Sequence, residues 1–430
     1  MKIFFFKIIS NFNIIRSIYF TLLILISFLH KKNYKILFTK KIVLIALNDL
    51  RFKFDLEILE KNSNYIFFRF PYVLQRRLFN PIIIRKKLKD EYKEFQLLDN
   101  KKNFQIKDEI IFKYKNYFNI FFKLIKAKSV FSAAVHYKFD FLVGEIAKEC
   151  NLKYIILHKE NFSPLKSQQE NKIKFYSNYF KSRADLIITH NLITKKILSK
   201  NILSKNKIFS IGALRFYDYY KKIQKKNYRK NSKKRVTLFS FTLRSGIYGN
   251  AFNSNTFFVN KGWVKLFQNV HRSIYELSIE NPDIEFIIKT KWDFEWHQQI
   301  FKDIGYPKKI PNNLIITSKS DVLKLITSSS TIVAFNSTAI LESAIFGHRV
   351  ICPDFNEVNK YDQFVMHKVF KKKVTLAKSS KDLKKKIIDR LNAKQKAKPL
   401  MIEEFEKYIS QIKKNVLRMY IKKIDKILTS

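Results

Sequence analysis

Short apolar runs alternate with longer amphipathic stretches from Lys41 onward. Ile42 to Leu47 is continuously apolar and largely aliphatic. A parallel strand buried on both faces reads this way. Similar runs at Tyr65–Phe68, Val130–Ala134, Tyr154–Leu157, Leu186–Thr189 and Lys207–Ile211 predict further strands. Between them, helical spacing fits Phe54–Glu60, Phe141–Cys150 and Leu192–Ser199, and the charged stretch from Leu74 to Lys126 reads as helices. Strands alternating with helices are the sequence form of a parallel sheet covered by helices.

The pattern then stops and restarts. Lys221 to Lys234 is basic and hydrophilic with little to bury, so 217–235 predicts a linker. A fresh strand begins at Val236–Phe241. After it come a helix at Trp263–Ser278, strands at Glu285–Ile288, Leu314–Ile316, Thr331–Phe335 and Val350–Cys352, and helical pattern from Lys381 to Tyr420. The expected architecture is α/β, two Rossmann-like domains facing a cleft. Its parts are an N-terminal segment (1–40), an acceptor-side domain (41–216), the linker, a nucleotide-binding domain (236–380) and C-terminal helices (381–430). The last helices either close the second domain or cross back onto the first.

Composition changes this picture little. With 430 residues and 46% hydrophobic content, two domains of ordinary size can each have a core. The net charge of +49 points to a polyanionic partner, but its lysines are scattered over the whole length. No zinc spacing or RNP-like strand accompanies the charge, which is spread over the chain and not gathered on one element, so a specific nucleic-acid partner is not expected. An anionic membrane surface is. Cys150 and Cys352 form no metal spacing and no disulfide framework, which fits a reducing compartment. Near the N-terminus, Ser17 to Leu29 carries no charge. The stretch is short for a span, so it reads as an interfacial anchor, a marginal signal anchor or a buried helix. If it inserts, the lysines after it keep the rest on the cytoplasmic face of the plasma membrane.

Candidate chemistry is concentrated at 331–353. There an apolar strand runs into Asn336, Ser337 and Thr338, a short helix carries Glu342, and Gly347 precedes the next strand. Small polar groups where a strand meets a helix suit a diphosphate, because free backbone N–H groups and the positive helix end converge there. A plain helix cap has the same residues. The companion spacing of Glu342, Gly347 and Val350 resembles the Leu-Glu-Ala…Gly…Val-Ile segment of GT-B glycosyltransferases. The region is also similar to surface-polysaccharide transferases, CDP-glycerol glycerophosphotransferases and, more distantly, UDP-N-acetylglucosamine 2-epimerases. The resemblance implies that Glu342 accepts hydrogen bonds from the nucleotide ribose. The retaining subclass would place an acid at 334, where this chain has Ala334.

In parallel sheets, ligands bind beyond the carboxyl ends of strands, so loops after strands are the other candidates. In the second domain these are Arg244, Ser245 and Gly246, then Lys289 and Lys291, for nucleotide, and Glu357 for the donor sugar. In the first domain, His158 and Glu160 directly follow a strand and suit general-base work, with His136, Asp49 and Asp140 as further candidates. Gly212 to Arg215 resembles the Gly-x-x-Arg-x-Asp segment of the same transferases and makes Arg215 a cleft residue, although Asp218 arrives one position late.

The expected activity is transfer of a sugar from a nucleotide-activated donor to a surface glycan or lipid-linked acceptor. No cofactor is expected, and no metal, since no Asp-x-Asp occurs. A sugar-nucleotide epimerase on the same frame and a basic nucleic-acid-binding protein are the alternatives.

Overall fold

The computed structural model describes residues 13–30, 33–85, 101–159, 163, 166–177, 181–217, 219, 221, 234–240, 261–291, 294–334, 337–355, 374–393, 408 and 415–430. The chain divides into two compact units, with one boundary between Tyr217 and Asp218.

The first unit contains α1 (Asn13–Phe28), β1 (Ile42–Leu47), α2 (Lys53–Asn62), β2 (Tyr65–Phe70), α3 (Tyr72–Arg85), α4 (Lys101–Leu124), β3 (Ser129–Ser132), α5 (Lys138–Glu149), β4 (Lys153–Leu157), α6 (Lys166–Ser177), β5 (Leu186–Thr189), α7 (Leu192–Asn201) and β6 (Ile208–Ser210). Its sheet is parallel throughout, in the order β2-β1-β3-β4-β5-β6. Alternation along each strand divides the core. Val43, Ile45 and Leu47 join Phe118, Phe121 and Ile146 on one face, while Leu44 and Ala46 join Leu56 and Leu59 on the other. At Gly144 α5 lies hard against the sheet, since a Cβ there would lie 2.3 Å from the Tyr154 ring.

Edge strand β2 is blunted by one side chain. The Asn33 amide oxygen accepts from Arg69 N at 2.8 Å, and its amide nitrogen donates to Arg69 O at 3.0 Å, which occupies backbone groups that would otherwise invite another strand.

The second unit contains β7 (Arg235–Phe239), α8 (Lys261–Glu280), β8 (Glu285–Lys289), α9 (Phe294–Asp303), β9 (Leu314–Thr317), α10 (Val322–Ser328), β10 (Thr331–Ala334), α11 (Ala339–Ile345), β11 (Ile351–Pro353), β12 (Thr375–Ala377) and α12 (Ser380–Asn392). Its parallel order is β12-β11-β10-β7-β8-β9. Numbered from its own first strand, this is the doubly wound order 3-2-1-4-5-6. Val333 and Ala334 of β10 lie beside Leu238 and Phe239 of β7. The core on one face packs Leu266, Phe267, Val270 and Ile274 of α8 against Val236, Leu238 and Phe286. The fold is thus two Rossmann-like α/β units, a GT-B-like arrangement of elements.

The last helix, α13 (Val416–Thr429), belongs to the first unit. Val416, Leu417, Tyr420 and Ile424 form its inner stripe and enter the core with Leu44, Phe67 and Leu186. Tyr65 Oη donates to Asp425 at 2.5 Å, and Tyr420 Oη donates to Gly212 O at 2.7 Å. The C-terminal region therefore serves both units, α12 the second and α13 the first. β12 is a strand the sequence reading lacks.

Candidate functional site

A doubly wound sheet splits its connections where the strand order reverses, and ligands bind outside the carboxyl ends at that point. In the second unit the reversal lies between β7 and β10, so Ser240 and the segment after Ala334 flank it. Ser337 Oγ accepts from Ala339 N at 3.1 Å, just ahead of the short α11. The Thr338 hydroxyl donates to Glu342 Oε1 at 3.0 Å, and Tyr219 Oη donates to Glu342 Oε2 at 2.8 Å. Glu342 is buried, and the Tyr219 ring packs on Phe346 at 5.5 Å between centroids. Each carboxylate oxygen thus accepts a bond from a protein hydroxyl.

Beside this, Lys289 bridges loops. Its ammonium donates to the carbonyl oxygens of Thr290 at 2.6 Å and Ser318 at 2.8 Å and is buried between the ends of β8 and β9. Lys291 is exposed. Arg244, Ser245, Gly246, Asn336 and Glu357 lie outside the described residues.

A buried relay that no motif announced stands at the end of β7. Ser240 Oγ lies 2.8 Å from His271 Nε2, His271 Nδ1 lies 2.6 Å from Asp303 Oδ2, and Trp296 Nε1 donates to Ser240 Oγ at 3.2 Å. The Asp303 carboxylate also accepts from Gln299 at 2.8 Å. The four residues that meet at Ser240 and His271 come from three elements, so no local spacing links them. One signal was available in the sequence: His271 occupies the apolar stripe of α8 beside Phe267, Val270 and Ile274, where a polar residue needs buried partners.

In the first unit the reversal lies between β1 and β3, and the loops there carry Asn48, Asp49 and His136. Asn48 has left-handed backbone (φ 50°) and turns the chain sharply after β1. His136 is half-buried, and its Nδ1 lies 3.3 Å from Tyr176 Oη. His158, at the end of β4, has no exposed surface; its ring centroid is 6.1 Å from that of His136. Glu160 lies outside the described residues. Lys159 forms an ion pair with Asp55 of α2. His190, after β5, is held well below its usual pKa by burial and then by the positive fields of Lys159, Arg215 and His158. Arg215 is half-buried with its guanidinium over the Phe216 ring at 5.0 Å. The expected candidates His136, His158 and Arg215 thus stand at the carboxyl edge of one sheet. Asp140 is fully buried in the first turn of α5, accepts from Ser132 Oγ at 3.0 Å, and is pushed up to about 7 by burial.

No protein-family model matches this chain, and no curated protein does. Solved structures with a similar fold include the UDP-GlcNAc 2-epimerase of Neisseria meningitidis bound to UDP-GlcNAc, at 11% identity over 90% of this chain and 100% of that one, with a TM-score of 0.45. The UDP-N-acetylglucosamine 2-epimerase of Rickettsia bellii is similar at 12% identity over 90% and 97% of the chains, TM-score 0.48. The wall teichoic acid polymerase TagF is similar at 13% identity over 97% and 99%, TM-score 0.47. Both kinds of protein were expected from the segment 331–353. At such identities the likeness is one of fold alone.

Proposed function

We propose that the chain is a glycosyltransferase that moves a sugar from a nucleotide-activated donor to a glycan or lipid-linked acceptor at an anionic membrane surface. The observation that carries this reading is Glu342, a buried carboxylate held by Thr338 and Tyr219 at the strand-order reversal of the second sheet. An ionised carboxylate is an acceptor-only group and suits the hydroxyls of a ribose. The diphosphate then lies toward Ser337. The scheme uses no metal; cations and backbone N–H groups take up the charge that leaves with the diphosphate.

The acceptor side is assigned to the first sheet. As the acceptor oxygen bonds to the anomeric carbon, the bond from that carbon to the diphosphate breaks and its electron pair leaves with the nucleotide. The acceptor proton passes to a base. Of the histidines at this edge, His136 has exposed surface and stands at the reversal, whereas His158 packs behind it. His136 is therefore assigned as base, with His158 as its support.

The test is incubation with a panel of nucleotide sugars, with and without candidate acceptors. Release of nucleoside diphosphate that depends on acceptor supports transfer. Conversion of the donor sugar with no acceptor and no nucleotide release identifies an epimerase and overturns it.

A further inference from the structure

Helix α1 buries one side and leaves the other both bare and apolar. Phe20, Leu23 and Ser27 face the first unit's core, and Phe20 packs on Tyr117 and Phe118 of α4 at 5.3 Å between ring centroids. On the opposite side Ile18, Leu22, Leu25, Ile26 and Leu29 are about half exposed or more, Leu29 reaching 84%. Their spacing of three and four residues makes them one continuous stripe. Thr21, the polar residue among them, turns its hydroxyl onto the Ser17 carbonyl at 2.8 Å. The stripe continues onto the neighbouring helix. Ile120 and Leu124 stand one and two turns beyond Tyr117 on the same side of α4, and they are 67% and 65% exposed.

Basic residues stand at the ends of these helices. Exposed Lys123 and Lys126 stand at the end of α4, exposed Lys35 and Lys40 follow α1, and Arg77 of α3 receives the Tyr19 hydroxyl on its carbonyl at 3.4 Å. A second copy of a chain with net charge +49 would bring like charges together across this face. An anionic lipid surface offers the opposite charge and an apolar interior together. No helix among the described residues is long and apolar enough to cross a membrane. The buried side of α1 also ties it to the core, so it meets a bilayer lying flat, presenting about 24 Å of length.

We propose that this face of α1, with Ile120 and Leu124, docks the first unit in the plane of an anionic bilayer. The proposal rests on the membrane part of the reading above and not on its chemistry. The experiment is flotation of the full chain with vesicles of phosphatidylcholine alone or with a third phosphatidylglycerol, at low and physiological salt. Wild type should float with the anionic vesicles in both salts. Leu22→Glu with Leu25→Glu should lower its partition at least tenfold while the melting temperature and nucleoside diphosphate binding stay at wild-type values. A second variant guards against misfolding: Leu22→Trp keeps the face apolar and should gain fluorescence quenching by brominated acyl chains. Equal flotation of wild type and the double variant, abolished by salt, would mean charge alone and overturn the proposal. So would equal binding to neutral vesicles, no quenching in Leu22→Trp, or a wild-type dimer that the double variant dissolves. Intact docking without any transfer activity would leave this inference standing and remove the catalytic one.

Discussion

Tyr219 holds one oxygen of Glu342 and Thr338 holds the other, so the carboxylate is already oriented before a ligand arrives. Glu342→Gln should weaken nucleoside diphosphate binding about tenfold or more and leave inorganic pyrophosphate binding nearly unchanged, as titration calorimetry with both ligands would measure. Equal losses would take the ribose contact away from this residue. At the other sheet, His136→Ala should cut transfer by roughly 10²–10⁴-fold with donor affinity preserved, the signature of a lost general base. Asp140 gives a residue-level prediction about stability. Its folded-state pKa is raised from 3.8 to about 7, so the folded chain holds this proton more tightly than the unfolded one. Stability contributed by Asp140 is full below pH 4 and declines as pH rises from 4 to 7, by a few kcal/mol. Denaturant titrations of Asp140→Asn should lack that decline.

Elements were legible from sequence where burial is two-sided. β1 and β5 announce themselves as unbroken apolar runs because both faces are covered, and the structure places them at the expected residues. Tyr219 was not legible, because it lies among lysines that read as linker while its own ring is buried on Phe346. The relay of Ser240, His271, Trp296 and Asp303 was hidden for another reason: its members meet only after the sheet has formed. His158 is singled out by its position after a strand, and spacing does not express that its ring is buried there. Helix-to-sheet packing gives its own test. Gly144→Ala would drive a methyl into the Tyr154 ring, and overpacking of this kind typically costs about 1–3 kcal/mol. Thermal unfolding should show a lowered midpoint, and pairing Gly144→Ala with Tyr154→Leu should recover part of it.

For the whole molecule, the important fact is that the first unit is assembled from both ends of the chain. Its sheet is finished by Ser210, yet one face of that sheet is covered by α13 from Val416 onward. Val416, Leu417, Tyr420 and Ile424 each contribute roughly 1.5–3 kcal/mol by burial. A chain ended before Asn415 should therefore melt well below the full chain, and a synthetic peptide of 415–430 should restore part of the loss. Separate expression of residues 1–217 should give insoluble protein unless that peptide is supplied.

The same arrangement sets a clock on synthesis. About 200 residues are translated between the end of β6 and the start of α13, which takes ~10–40 s at ordinary elongation rates. Throughout that interval the part of this face that α13 covers lacks its helix, on a nascent chain whose second unit is still emerging. The first unit waits, half-dressed, for α13 to emerge, and a holding chaperone that binds apolar sheet surface has its longest opportunity there.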